Sequence, residues 1–196
     1  MKIIGLTGPT GAGKSNLTET AQNLGFKVID CDKVARKAVE KESEGLKALV
    51  KVFGTDILLE NGELNRKALA RKAFATLEQT ETLNKTLFPF ITELVEKEFD
   101  SELILLDAPT LIESGLNKKC DKVIGVWADP EIRLKRICER DGLSLEDAKI
   151  RLNAGKDESF YKENTDILIY NNGEIPEFRK EISEILTEIK ERWLWN

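Results

Sequence analysis

The sequence predicts an α/β fold in which a parallel sheet is flanked by helices, interrupted by a helical insertion and carries a helical lid. Three observations predict it. Short apolar runs at 3–6, 26–29, 103–106, 123–127 and 167–170 alternate with longer segments of helical spacing. The run Leu103 to Leu106 has no polar alternation, as expected of a strand covered on both faces in a parallel sheet. The connection from Ile29 to Leu103 takes about seventy residues where a crossover needs about a dozen, so a further body of chain is inserted there.

The first strand leads into Gly8 to Ser15, which reads GPTGAGKS, and a helical pattern at Leu17, Ala21 and Leu24 follows. A glycine-rich turn between a buried strand and a helix N-terminus points several backbone N–H groups at one spot, where the helix dipole also favours negative charge. That spot suits phosphates. The G-x-x-x-x-G-K-S spacing marks Gly11, Ala12, Gly13, Lys14, Ser15 and Asn16 as nucleotide-binding, with Lys14 on the β and γ phosphates and the Ser15 hydroxyl on Mg²⁺.

Asp30 and Asp32 close the second strand, and alternate residues there point the same way if extended geometry persists. One of them is placed to accept the proton of an attacking hydroxyl. Asp32 is favoured, because it opens the segment Lys33 to Arg36 and projects from the C-terminal edge of the sheet, where α/β ligands gather. Asp30 as the base, or both as caps of the next helix, are the alternatives. Arg36 is a candidate grip for an acceptor phosphate, against the plainer reading of a solvated arginine.

The insertion, 38–100, reads as mostly helical. Leu46, Leu49, Val50 and Phe53 have helical spacing and stop at Gly54, and Asn65 caps a segment carrying Leu69 and Ala73. Leu83 and Leu87 continue the pattern to Pro89, which is expected to end or kink the helix. The segment is read as an acceptor-binding cap; the alternative is an enlarged helical layer without ligand contacts.

Asp107 ends the third strand, where a second carboxylate commonly holds the metal, directly or through water; a helix-capping or loop aspartate is the alternative. Asp129 and Pro130 open a helix carrying Arg133, Arg136 and Arg140, Gly142 ends it, and Ser144 with Asp147 resembles a capping box for a second helix. This basic hairpin, 131–155, reads as a lid with Arg140 as the arginine that neutralises transferring phosphate; at least one of the three arginines is expected to be ordinary surface charge. Phe178, Ile182, Ile185, Leu186, Ile189 and Trp193 form one apolar face of a final helix. The remaining ranges, 1–37, 101–130 and 156–196, make up the nucleotide core of a single unit.

A net charge of −5 argues against broad nucleic-acid binding, which needs a concentrated basic face. No apolar stretch reaches membrane-spanning length, and three scattered cysteines suggest neither a disulfide framework nor a zinc site, so a cytoplasmic protein is expected. A monomer or weak homo-oligomer is expected separately, with no sequence feature that decides between them. The chain has no histidine, which makes a carboxylate the expected general base.

Taken together, IIGLTGPTGAGKS, VIDCDKVAR, NGELNRKAL, LLDAPTLIESGL, RLKRICERDGLSLEDAKIRL and TDILIYNNG resemble, in order and spacing over nearly the whole chain, the dephospho-coenzyme A kinase family of P-loop NTPase-type small-molecule kinases. The resemblance implies ATP-dependent phosphorylation of the ribose 3′-hydroxyl of dephospho-coenzyme A, with ATP and Mg²⁺ as co-substrate and metal. By position it makes Asp32 the base, puts Arg140 in the lid, brings the Asn171, Asn172, Gly173 turn near adenine with Asn172 as the contact, and assigns Asp32, Arg36, Asp107 and Leu111 to the acceptor. Phe88, Gly155, Thr110 and Ile112 depart from the family pattern, which usually has histidine, glutamine, leucine and phenylalanine there.

A regulatory GTPase uses the same loop, but guanine selection calls for N-K-x-D, and the string from Asn117 to Asp121 is one residue too long. Asp107 to Thr110 also lacks the glycine of a GTPase D-x-x-G. A kinase of another small alcohol or of a nucleoside monophosphate is the nearer alternative.

Overall fold

A computed structural model describes residues 1–194, and these form two compact units. One contains Met1–Ile29 and the chain from Ser101 onward; the other is Asp30–Asp100.

The first unit is built on a five-stranded sheet of order β2-β3-β1-β4-β5, with strands β1 (Lys2–Thr7), β2 (Lys27–Asp30), β3 (Leu103–Asp107), β4 (Lys122–Trp127) and β5 (Ile167–Tyr170). β1 pairs in parallel with β3 on one side and β4 on the other, and β4 with β5. Because β1 is central, the crevice beyond its C-terminal end is the point at which successive crossovers diverge, the place where open α/β sheets bind ligands. The register sets Leu6 against Asp107, so the residue closing β3 stands beside the start of the glycine loop.

Helix α1 (Lys14–Asn23) packs Leu17 and Ala21 on one face of the sheet, and α9 (Ile175–Leu194) adds Phe178, Ile182, Leu186 and Ile189 to the same core. The predicted apolar stripe is present, with Ile185 and Trp193 at its half-buried margin. A fully buried leucine or isoleucine such as Leu17 or Ile182 contributes about 1.5–3 kcal/mol relative to exposure. On the other end of the chain order, α6 (Pro130–Asp141) starts with proline at its first turn and stops at Gly142, whose φ of 62° suits a residue without Cβ. Helix α7 (Leu145–Asn153) is capped by Ser144, whose Oγ accepts from the Asp147 N–H at 3.1 Å. Helix α8 (Glu158–Asn164), which no sequence pattern above marks, is capped by Asp157.

The second unit comprises α2 (Cys31–Lys37), α3 (Glu44–Phe53), α4 (Arg66–Ala73) and α5 (Leu77–Glu96) around Val39, Leu49, Ile57, Leu69, Ala73 and Leu83. Ser43, Asn65 and Thr76 each accept a hydrogen bond from a backbone N–H three residues on, which fixes the starts of α3, α4 and α5. Two expectations are corrected. The compact insertion begins at Asp30, not at 38, because α2 packs against α5 and Val34, Ala38 and Val39 bury their side chains. Of the two outcomes expected at Pro89, an end or a kink, the end does not occur: helix α5 runs on through the proline to Glu96. The proline removes one N–H donor, while Leu83 before it and Val95 after it are both buried and hold the two halves in one element.

Among the described residues, no helix is long and apolar enough to cross a membrane.

Candidate active site

The glycine loop wraps a pocket of about 600 Å³ lined by Gly11, Gly13, Lys14, Ser15 and Asn16 from the loop, Asp107 from β3, Arg136 and Arg140 from α6, and Asn171 after β5. Its shape comes from behind. Three successive loop carbonyls are held by side chains from later in the chain: Arg133 Nε donates to the Thr10 carbonyl at 2.9 Å, Arg136 Nη1 to that of Gly11 at 3.3 Å, and Asn171 Nδ2 to that of Ala12 at 2.7 Å. In a planar trans peptide the following N–H points the opposite way, so these bonds turn the Gly11 and Gly13 N–H groups away from the clasp. Gly13 also leads α1 with φ 97°, and a Cβ there would collide with Asn171 Nδ2. At Gly11, with φ 79°, a Cβ would sit 2.9 Å from the Arg133 carbonyl oxygen. Both glycines are therefore required by conformation and by close packing.

Lys14 extends across the loop, and its Nζ donates to the Gly8 carbonyl at 2.6 Å. The Asp107 Oδ1 is shut off from solvent. Ser15 and Asp107 bring two hard oxygen donors to one pocket, and among the described residues no group of three or more His, Cys, Asp or Glu is gathered to hold an ion. A donor set of that kind fits Mg²⁺, which keeps several waters and completes its shell with phosphate oxygens, better than a metal that needs an all-protein cage.

Arg140 lines the same pocket but its guanidinium is engaged: Nε and Nη2 donate to the two carboxylate oxygens of Asp141 at 2.7 and 2.8 Å. Arg151 of α7 bonds the same carboxylate, tying the two helices of the hairpin together. The hydrogen bond from Arg140, with the charge of both arginines, holds the Asp141 carboxyl below the usual carboxylate range. Arg133 and Arg136 are both held against the loop, so neither is the ordinary surface charge expected of at least one of the three; Arg140, with a half-exposed side chain, is the outermost.

In the second unit, Asp32 and Arg36 line a cavity of about 340 Å³ together with Arg66, Phe74 and the apolar side chains of Val39, Leu69 and Leu83. The two aspartates differ in local structure. Asp30 ends β2 and caps α2, its Oδ1 accepting from the Lys33 N–H at 3.0 Å and its Oδ2 meeting Lys33 Nζ at 3.2 Å. Asp32 lies in the first turn of α2, so extended geometry does not persist beyond Asp30 and the two side chains are not strand neighbours. Arg66 lies in the NGELNRKAL string, which by itself gives it no role, and Phe74 has no motif at all; the packing of α4 on α3 and α5 puts both on this cavity wall.

Two expected contacts are corrected. Leu111 is fully buried, and its side chain fills the space beside Gly5, where a Cβ would meet it at 2.6 Å, so it supports β1 from within. Asn172 uses its Oδ1 to accept from the Asp129 N–H at 2.8 Å, fastening the start of α6, and it is Asn171 that lines the pocket. Ala12 contributes backbone only, its side chain being buried in the core.

The family model described as dephospho-CoA kinase matches residues 2–177. The chain is 40% identical over 197 residues to the dephospho-CoA kinase of Listeria monocytogenes serotype 4b, covering 96% of each, and 35% identical over 201 residues to that of Oryza sativa subsp. japonica, covering all of this chain and 87% of the relative. Among solved structures it is similar to a dephospho-CoA kinase from Campylobacter jejuni, at a TM-score of 0.70 with 30% identity over 96% of this chain and 98% of that one. A shikimate kinase from Acinetobacter baumannii, at 18% identity and TM-score 0.57 over 98% and 94% of the two chains, shares the fold.

Proposed function

The chain belongs to the dephospho-CoA kinase family, which uses ATP to convert dephospho-CoA to CoA, and from that premise we propose how its residues divide the work. The loop pocket holds ATP. Lys14 meets the β and γ phosphates, the N–H groups turned out by the rear clasp donate to the phosphate oxygens, and Asn16 and Asn171 border the nucleotide. Ser15 and Asp107 hold Mg²⁺, which supplies charge neutralisation on the phosphate chain when bound.

The cavity of the helical unit receives the acceptor. Arg36 and Arg66 match its diphosphate, and the apolar wall with Phe74 takes its neutral parts. Asp32 accepts the proton of the ribose 3′-hydroxyl as that oxygen attacks the γ-phosphorus in line; the bond to the ADP oxygen breaks, and ADP leaves. Asp30 keeps α2 in place as its cap. Because α6 is bonded to the loop at Arg133 and Arg136, the part of the lid that moves begins near Arg140 and includes α7, with Arg140 exchanging its Asp141 partner for transferring phosphate. The enzyme works as a monomer or weak homo-oligomer and needs no nucleic acid or membrane.

The observation that carries this division is that Lys14, Ser15 and Asp107 line one pocket while Asp32 and Arg36 line a separate cavity in the other unit. A coupled assay with dephospho-CoA, AMP, shikimate, gluconate and pantothenate as acceptors tests it. ADP release with dephospho-CoA alone, and a product carrying a new 3′-phosphate by ³¹P NMR, is expected; equal turnover with another acceptor overturns the assignment of the cavity.

A further inference from the structure

Arg133 is 3% exposed, yet it meets no carboxylate. Its Nε donates to the Thr10 carbonyl at 2.9 Å, and its guanidinium carbon lies 5.0 Å from the ring centre of Trp127. Its neighbour Arg136 ends on the main-chain carbonyls of Gly11 and Asn171 and on Asn171 Oδ1, all of them neutral acceptors. The ion pairs of this hairpin, Arg140 and Arg151 on Asp141 and Lys135 on Glu139, leave both out, and among the described residues no acidic side chain lies within ion-pair distance of either. Burial holds both guanidinium groups below their ordinary pKa, with no carboxylate acting against it.

An uncompensated buried cation is strongly unfavourable, and buried charges in proteins are ordinarily paired. Arg133 is such a cation and stands directly behind a loop whose far side is open, while the partly exposed Arg136 reaches the pocket itself. We propose that the counter-charge of Arg133 is the phosphate chain of the bound nucleotide, so that Arg133, which does not line the pocket, is a positioning residue that supplies positive potential through the loop. Two effects act together. Its field crosses a thin, poorly polarisable layer of backbone, where screening by water is weak. Its bond to the Thr10 carbonyl also polarises that peptide, strengthening the Gly11 N–H as a donor on the opposite side. This rests on the reading of the pocket as the ATP site.

Gly155 offers a test that leaves Arg133 in place. A Cβ built there would lie 3.7 Å from Arg133 Nη2, 3.5 Å from the Leu152 carbonyl oxygen and 3.8 Å from Pro9 Cβ, so a small side chain fits without strain. Gly155→Asp brings a carboxylate to the buried cation, and Gly155→Asn brings the same shape without charge. Titration calorimetry with ATP, ADP and AMP in magnesium buffer is the measurement, alongside the melting temperature of the nucleotide-free protein. Gly155→Asp should melt at or above the unmodified temperature and bind ATP about tenfold more weakly, with smaller losses for ADP and AMP in that order. Gly155→Asn should bind all three as the unmodified protein does.

Arg133→Gln should give the same graded loss without lowering the melting temperature; if that variant does not fold, the Gly155 pair decides. Equal affinities for Gly155→Asp and Gly155→Asn, or a loss that is the same for ATP and AMP, overturn the proposal. Failure of the unmodified protein to bind ATP overturns instead the reading of the pocket.

Discussion

Arg136 and Asn171 are joined twice, the Arg136 Nη2 donating to the Asn171 main-chain carbonyl at 3.1 Å and to its Oδ1 at 3.3 Å. Asn171 in turn spends its Nδ2 on the Ala12 carbonyl, so helix α6, the end of β5 and the phosphate loop are fixed to one another through a single amide. That amide is 2% exposed, and water cannot replace its bonds without opening the core.

Asn171→Ala should therefore cost about 1–3 kcal/mol of stability, the range for leaving buried polar partners unsatisfied. It should also raise the KM for ATP by a larger factor than it lowers kcat, because the loop loses its preorganised shape before its charge. Urea unfolding and steady-state kinetics on the same preparation check both. An unchanged KM would mean that Arg133 and Arg136 hold the loop unaided.

Lys14 lies across the loop from the Gly8 carbonyl, half-buried and lining the pocket. Lys14→Ala should leave the melting temperature within a few degrees of the unmodified value while lowering kcat by about two orders of magnitude or more, the scale of losing a preorganised charge at the transition state. Near-normal turnover in a folded variant would remove Lys14 from the reaction.

How much of this is legible in the sequence depends on how local each feature is. The loop, the strands and the caps at Asn65 and Ser144 are written in short strings whose conformation their own residues dictate. Asn171 is not, since its role arises only when β4 and β5 pair and bring it against Trp127 and Ala12 from far along the chain. Leu111 misleads for the opposite reason: it follows Asp107 in a distinctive string, but a turn closed by its N–H on the Ala108 carbonyl sends the side chain inward to Gly5. Pro89 reads as a breaker because propensity is local, whereas the packing of Leu83 and Val95 that overrides it is not.

The Asp141 carboxylate is held below its ordinary pKa chiefly by the hydrogen bond from Arg140. For a depressed carboxyl the contribution is present above its unfolded pKa and is lost as pH falls through the lower folded value. The melting temperature of the unmodified protein should thus exceed that of Asp141→Asn by a constant margin near neutral pH, and the margin should close as the solution is acidified below about pH 4, the ordinary range of an aspartate. A margin that persists at the acid end would assign the variant's effect to packing instead of charge.

Asp30 and Asp32 separate cleanly, because the fold puts one at the end of β2 and the other in the first turn of α2. Asp30 is engaged as the cap of α2 through the Lys33 N–H, and asparagine caps a helix about as well as aspartate does, so Asp30→Asn should be nearly silent in kcat while Asp30→Ala costs about 1 kcal/mol of stability. Asp32, in the first turn of α2 and on the wall of the cavity proposed for the acceptor, is the carboxylate with a proposed chemical task. Asp32→Asn keeps its shape and removes the basic oxygen, so kcat should fall by about two orders of magnitude or more while the KM for dephospho-CoA changes little. A large kcat loss in Asp30→Asn with a quiet Asp32→Asn would transfer the role of base to Asp30, and the cap at the start of α2 would then have to break for the reaction to proceed.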